Sequence, residues 1–304
     1  MALQKEIWIN DIQENLYNNN LFLGQVGLDH SAFVNFKTVH IPQAGARPSV
    51  TANRSTLPAT IAARTDAEIT YSMSEYTTDP LLLPNIDTLQ LSYDKRMSLL
   101  SNSIATLSDT ISNKTLYAWS PLLANSIRTS GTAVASALAP SATGTRNAFT
   151  LADLRLAVRI LDKSNFNPNE ERFLILPADM YWQLMGDPGI SQFLQLGQDT
   201  QINGKLPMIL GCRIIVRASV NVYDTSGVIK VTADTGIPSA PAATDNYAAL
   251  LISKSAASRA LGDIKVFAQM DRPDYYGSIF SALIMHGATK LRTNGEGIVG
   301  IIQQ

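Results

Sequence analysis

The chain has 304 residues, enough for one large domain or two ordinary ones with a substantial core. Hydrophobic residues make up 45% of it but charged residues only 16%, against roughly 25% in typical soluble domains, which fits either a neutral, secreted-type surface or one buried against copies of itself. A net charge of −1 argues against sequence-independent nucleic-acid binding, which needs a basic face, and leaves room only for a local basic patch.

The N-terminus carries Lys5 and Glu6 with no apolar run behind them, so no signal peptide is expected, and no window reaches the length of a membrane span. Residues 6–27 read as a polar arm with apolar anchors such as Trp8, Ile12, Leu16, Phe22 and Leu23. A short helix over Trp8 to Tyr17 fits Ile9, Ile12 and Leu16. The arm is either a frayed terminus or a strap across a neighbour.

The next segment is split by charge. Between Ser31 and Arg64 lie Lys37, Arg47, Arg54 and Arg64 and no acid; from Asp66 to Asp94 lie six acids and no Lys or Arg. Phe33 to Ile41 suggests a strand ending at Pro42, and three prolines between Pro42 and Pro58 favour an extended loop. Ile69, Tyr71, Met73 and Tyr76 give a returning strand, stopped by Pro80 and Pro84. The two arms read as a long β-hairpin without the apolar density for a core of its own.

Met97, Leu100, Ile104, Leu107 and Ile111 are spaced three and four apart, which predicts a helix over Tyr93 to Tyr117 with a narrow apolar seam and a wide polar surround. Residues 130–147 hold little that packs and read as a flexible loop or linker. Thr150, with Asp153 three residues on, caps a second helix that buries Leu151, Leu154, Val158 and Leu161. Phe173 to Leu176 reads as a short buried strand; Pro177 opens a helix that Gly186 closes, with Trp182 as its expected anchor in the core. Strands follow at Met208 to Leu210, Arg213 to Arg217, Val228 to Val231, Ala248 to Ser253, Ile264 to Met270, Ile279 to Ala288 and Ile298 to Ile302. Helices and strands mix without a regular repeat, which argues an α+β fold.

No phosphate-binding glycine loop and no nucleophile elbow occurs. His30, His40 and His286 are far apart, and none stands at metal-ligand spacing to another or to Cys212. As the only cysteine, Cys212 excludes an intrachain disulfide and points to a reducing compartment. It reads either as a small buried hydrophobe or as a nucleophile with His286 as base, the hydrolase alternative. No catalytic residue, metal or cofactor is expected.

The order of parts resembles a major capsid protein of the Hong Kong 97 fold, used by tailed phages and by encapsulin shells. The resemblance rests on the hairpin (Phe36 to Leu89), the long helix, FLILPADMYWQLM, KLPMILGCRIIVRASV, YAALLISKSA and the strand-rich tail. It implies an N-terminal arm at 1–35, an extended hairpin (E-loop) at 36–92, a peripheral domain with a spine helix at 93–169, an axial domain at 170–262, and return strands of the peripheral domain at 263–304.

The implied function is self-assembly, as hexamers and pentamers, into an icosahedral head shell enclosing a phage genome. The implied partners are other copies, a separate scaffolding protein, a portal and double-stranded DNA touched without sequence preference, with no membrane. Assembly is expected in the host cytoplasm and residence in the virion. Arg47, Arg54 and Arg64 would meet acids on a neighbour; Glu68, Glu75 and Asp79 would meet bases on a neighbour or on the hairpin's own first strand. The sequence departs from the family in two ways. The hairpin's only lysine, Lys37, sits near its base, so no crosslinking lysine is expected at the tip. The hairpin also begins by residue 36, so a scaffold is expected as a separate protein. An encapsulin-like compartment and a tail-tube protein remain alternatives.

Overall fold

The computed structural model describes residues 20–43, 50–55, 57–58, 61, 66–84, 95–121, 123–136, 143–164, 169–190, 208–218, 220–230, 241–292 and 294–304. The expected helix at Trp8 to Tyr17, like Arg47 and Arg64, lies outside them.

In chain order the described part begins with α1 (Leu21–Gln25), β1 (Leu28–Asp29), β2 (Val34–Asn35) and β3 (Thr38–Gln43). β4 (Ala67–Ser72), β5 (Ser74–Thr77), β6 (Leu81–Pro84) and the long helix α2 (Lys95–Ala118) follow. Then come β7 (Ser126–Arg128), β8 (Ala133–Ala135), β9 (Thr145–Asn147), α3 (Leu151–Lys163), β10 (Arg172–Pro177) and α4 (Ala178–Met185). The chain ends with β11 (Met208–Ile209), β12 (Cys212–Arg217), β13 (Val222–Tyr223), β14 (Asn246–Ser253), β15 (Ala257–Arg272), β16 (Gly277–Lys290) and β17 (Ile298–Ile302).

A seven-stranded sheet in the order β11-β12-β10-β14-β17-β7, with β13 on β14, forms the centre. β10 runs parallel to β12 and antiparallel to β14. Strands β10 and β17 are buried on both faces, which explains their unbroken apolar runs. Phe173, Ile175, Leu250, Ile252 and Ile298 point into one core beneath α2. Their neighbours Leu174, Leu176, Ala249, Leu251, Val299 and Ile301 point into a second core with residues of α3 and α4. The α+β expectation therefore holds, with a mixed sheet between helical layers.

The second main sheet, β1-β15-β16-β5 with β6 also on β16, is built on the two long strands. β5 and β6 pair successive stretches of the same edge of β16. The final strand β17 leaves these strands and inserts between β14 and β7 in the central sheet.

Helix α2 covers 24 residues, about 36 Å at 1.5 Å per residue. Ile104, Leu107 and Ile111 are buried as the seam predicts. The buried face is wider than that seam, because Ser108, Ser112 and Thr115 are also buried. Their hydroxyls have partners: Ser112 Oγ donates to the Asp109 carbonyl, Thr115 Oγ1 to that of Ile111, and Ser108 Oγ accepts from Asn20 Nδ2. Satisfied hydroxyls are cheap to bury. At the helix end Trp119 is fully buried and Lys290 Nζ donates to the Ser120 carbonyl at 2.8 Å. A cation there complements the helix dipole.

The capping box at Thr150 and Asp153 is present, and α3 buries Leu151, Leu154, Ala157 and Leu161, with Val158 packed at the margin. Some local expectations need correction. The strand expected over Phe33 to Ile41 is broken by a turn at Phe36 and Lys37 into β2 and β3, which pair with each other. Strand β3 continues through Pro42 to Gln43, because Pro42 lies beyond the part of β3 that β2 pairs and its missing N–H faces no partner strand. Part of the 130–147 segment forms the β8–β9 ribbon. The expected strand at Val228 to Val231 is, over its described residues 228–230, a single bridge from Ile229 to Tyr223. Trp182 is 65% exposed, and Met180, Tyr181 and Leu184 bury the helix in its place.

Candidate intersubunit surface

Strands β3 and β4 pair antiparallel from Thr38↔Ser72 to Gln43↔Ala67. The base of this hairpin is anchored: Val39, Ile41 and Met73 are buried with Ala260 of β15, and Ile69, Tyr71 and Met285 pack on them. Pro42, Gln43, Ala67 and Glu68, at the other end of the ladder, are exposed. Val50, Leu57 and Ile61, in the stretch joining the strands, are almost wholly exposed. After Ser72 the chain joins β16 through β5, so the paired hairpin is shorter than Phe36 to Leu89.

Two of the six proposed contact residues are engaged within the chain. Glu75 Oε1 lies 2.6 Å from Lys37 Nζ, and Glu68 pairs with the ring of His40. Both acids thus meet groups on the hairpin's own first strand or the turn leading into it. Arg54 is exposed, its Nη2 donating to Thr51 Oγ1 at 3.4 Å, and Asp79 is exposed. With every group of the Lys37 pair largely in solvent, that pair contributes about 0–1 kcal/mol.

A second feature of this surface lies in the backbone. Among the described residues four non-glycines have a left-handed backbone: Phe36, Asn53, Leu210 and Tyr276. Asparagine is at ease there; bulky side chains pay about 1–2 kcal/mol each. Phe36 (φ 54°) is 93% exposed, Tyr276 (φ 47°) 81% and Leu210 (φ 49°) 44%. Each sits in a tight turn between paired strands: β2–β3, β15–β16 and β11–β12. Nothing in composition marks any of the three.

The catalytic alternative does not assemble. Cys212 is fully buried in the core beside α3 and α4, and burial pushes its thiol up to about 11. His286 lies in the other sheet, opposite Leu261 and Ser74. Burial first, then the Arg259 charge, lowers its pKa to about 4. Among the described residues no cluster of His, Cys, Asp and Glu could hold a metal ion, and no helix is long and apolar enough to cross a membrane.

No protein-family model and no curated protein matches the sequence. Solved structures match its architecture. The chain is similar to the capsid of cyanophage P-SCSP1u at 16% identity, over 92% of this chain and 86% of that one, with a TM-score of 0.62. It is similar to the capsid of cyanophage Pam1 at 11% identity, over 91% and 88%, with a TM-score of 0.64.

The chain has the Hong Kong 97-like capsid fold.

The same capsid fold extends end to end against a virus-like particle from Pyrococcus furiosus, at 10% identity over 98% of this chain and 99% of that one, TM-score 0.53. Within the capsid fold, β3 and β4 form the hairpin that the sequence led us to expect as the E-loop, and α2 the long helix.

Proposed function

We propose that this chain is a major capsid protein, assembling with copies of itself into the icosahedral head shell of a tailed phage. The observation that carries the reading is the capsid fold, shared with phage capsid subunits over about nine-tenths of this chain (92% and 91%). The buried, protonated Cys212 and its separation from His286 favour a structural role over a hydrolytic one.

In this reading the E-loop (36–92) stays on its own body at its base and through β5 and β6 and reaches a neighbouring subunit with its outer part, and α2 is the spine of a peripheral domain (93–169, with return strands 263–304). Residues 170–262 form the axial domain that meets its copies at fivefold and sixfold centres. Heterologous contacts between copies close the shell, each weak and many acting together. The charges of Arg47, Arg54, Arg64 and Asp79, of which Arg54 and Asp79 are exposed, set register more than strength. A scaffolding protein, a portal and packaged double-stranded DNA are the further partners, with assembly in the host cytoplasm.

The test is the state of the purified chain, by sedimentation and electron microscopy. Closed particles are expected. A chain that stays at the mass of one subunit under every condition sinks the reading.

A second reading, a protein compartment, is favoured by the end-to-end match to the Pyrococcus furiosus particle. The contents decide between the two: DNA for a phage head, a cargo protein for a compartment.

A further inference from the structure

We propose that Phe36 and Tyr276 are the aromatic anchors by which one copy of this chain docks onto its neighbours. The inference rests on the shell reading and names the side chains that make its contacts.

Each residue occupies a turn that favours a different amino acid. Asn35 pairs with Thr38, so Phe36 and Lys37 form a two-residue turn. Such turns need a left-handed first residue, which Gly, Asn or Asp supplies without strain. Tyr276 stands at the end of the turn joining Arg272 to Gly277, again with a left-handed backbone. In the isolated subunit neither choice has a local benefit. Both rings stand in water, 93% and 81% exposed, on backbones that bulky residues avoid. Strain combined with exposure points to a function outside the subunit.

The turns that carry the two rings are fixed. The Lys37 carbonyl accepts from Met73 N at 2.7 Å while its Nζ pairs with Glu75, which fixes the turn next to Phe36. At the other tip Arg272 donates to Gln269 Oε1 and to Asp274 Oδ2, and its guanidinium lies over the Tyr275 ring. Gly277 is pressed against β6 so closely that a Cβ would stand 2.4 Å from the Leu83 carbonyl. A fixed turn loses little backbone freedom on docking, and aromatic side chains dominate the energetics of interface centres.

The occupant is a second copy because the fold is shared with phage capsids, and a shell built from copies of one chain closes through contacts between those copies. The chain's charge of −1 also puts little repulsion between copies.

The test uses the full-length chain with Phe36→Asn, Tyr276→Asn and the pair, and Phe36→Trp as the conservative variant. Two quantities are measured: thermal unfolding of the unassembled subunit, and particle formation against concentration by light scattering. The Asn variants are expected to unfold at the wild-type temperature or above, because strain is relieved. The pair is expected to need at least about tenfold more protein to form particles, while Phe36→Trp assembles normally.

Asn variants that assemble at the wild-type concentration overturn the inference and leave the shell reading intact. Asn variants that unfold well below the wild type overturn it too, by showing that the rings support the subunit itself. A wild-type chain that never forms particles overturns both readings.

Discussion

The hydroxyl of Tyr71 lies 3.0 Å from that of Ser258, which ties the returning strand of the hairpin to the first long strand of the body. Ser258 is fully buried, and three elements converge on it. His30 Nδ1 reaches its hydroxyl at 2.8 Å, and Trp119 Nε1, just past the end of α2, donates to its carbonyl at 3.1 Å. The base of the hairpin is therefore joined to the body by polar contacts as well as by the small apolar cluster around Val39 and Ile41.

Replacing Ser258 by Ala removes the partner of two half-buried groups, the Tyr71 hydroxyl and the His30 ring, and a loss of roughly 1–3 kcal/mol is expected, at about 0.5–1.5 kcal/mol for each hydrogen bond. Tyr71→Phe removes one partner only and should cost about 0.5–1.5 kcal/mol. Urea unfolding of the two single variants and the pair measures the coupling. The pair should lose less than the sum of the singles. Strict additivity would show that the two hydroxyls do not act together.

Legibility followed the range of the interactions. The Thr150–Asp153 cap and the Ile104–Leu107–Ile111 seam were readable because each is decided within one or two turns of helix. So was the buried strand at 173–176, whose unbroken apolar run reflects cover on both faces. Trp182 was misplaced although a signal existed. Met180, Tyr181 and Leu184 stand at i, i+1 and i+4 and already fix a face that leaves position 182 outside it. The buried Ser108, Ser112 and Thr115 flank the seam at helical spacing, but residue type argued against burial until their hydroxyl partners were known.

Pairing across long sequence separations was hidden. Nothing local marks β5 and β6 as leaving the hairpin for β16, some two hundred residues on, or β17 as entering the central sheet. The charge split was visible, but the partners of Glu68 and Glu75 depended on strand register, which decides which side chains face each other.

Cys212 should be inert in the folded chain. Its thiol is buried and pushed up to about 11, so the thiolate that reacts with alkylating reagents is nearly absent at neutral pH. Mass spectrometry after iodoacetamide treatment should show no adduct on the native chain and one after unfolding. Rapid labelling of the native chain would remove this cysteine from the core.

Reversing the hairpin's positive charge tests its part in assembly. Arg54 is exposed, so Arg54→Glu should leave subunit stability within about 0.5 kcal/mol of the wild type, and the pair Arg47→Glu with Arg54→Glu should leave the subunit folded. Particle formation should be impaired, because like charges then face the acids of a neighbour. Particles of normal shape and yield, seen by electron microscopy, would take the hairpin charges out of the interface.

His286 should make the fold sensitive to mild acid. Burial, reinforced by the Arg259 charge and only partly opposed by Asp29, holds its ring neutral down to about pH 4. In the unfolded chain the same ring takes up a proton as the pH falls below about 6.5. The unfolded state therefore binds more protons across that window, and stability falls with pH through it. The contribution is fully present above about pH 6.5 and is lost by about pH 4, a change of roughly 3 kcal/mol in all. His286→Gln cannot gain a proton there, so its stability should change less between about pH 7.5 and about pH 5 than that of the wild type. The comparison is of slopes, so any fixed cost of the substitution cancels, and the carboxylates contribute equally to both chains. Equal slopes in the two chains would mean that the His286 ring takes up its proton as readily in the folded chain as in the unfolded one.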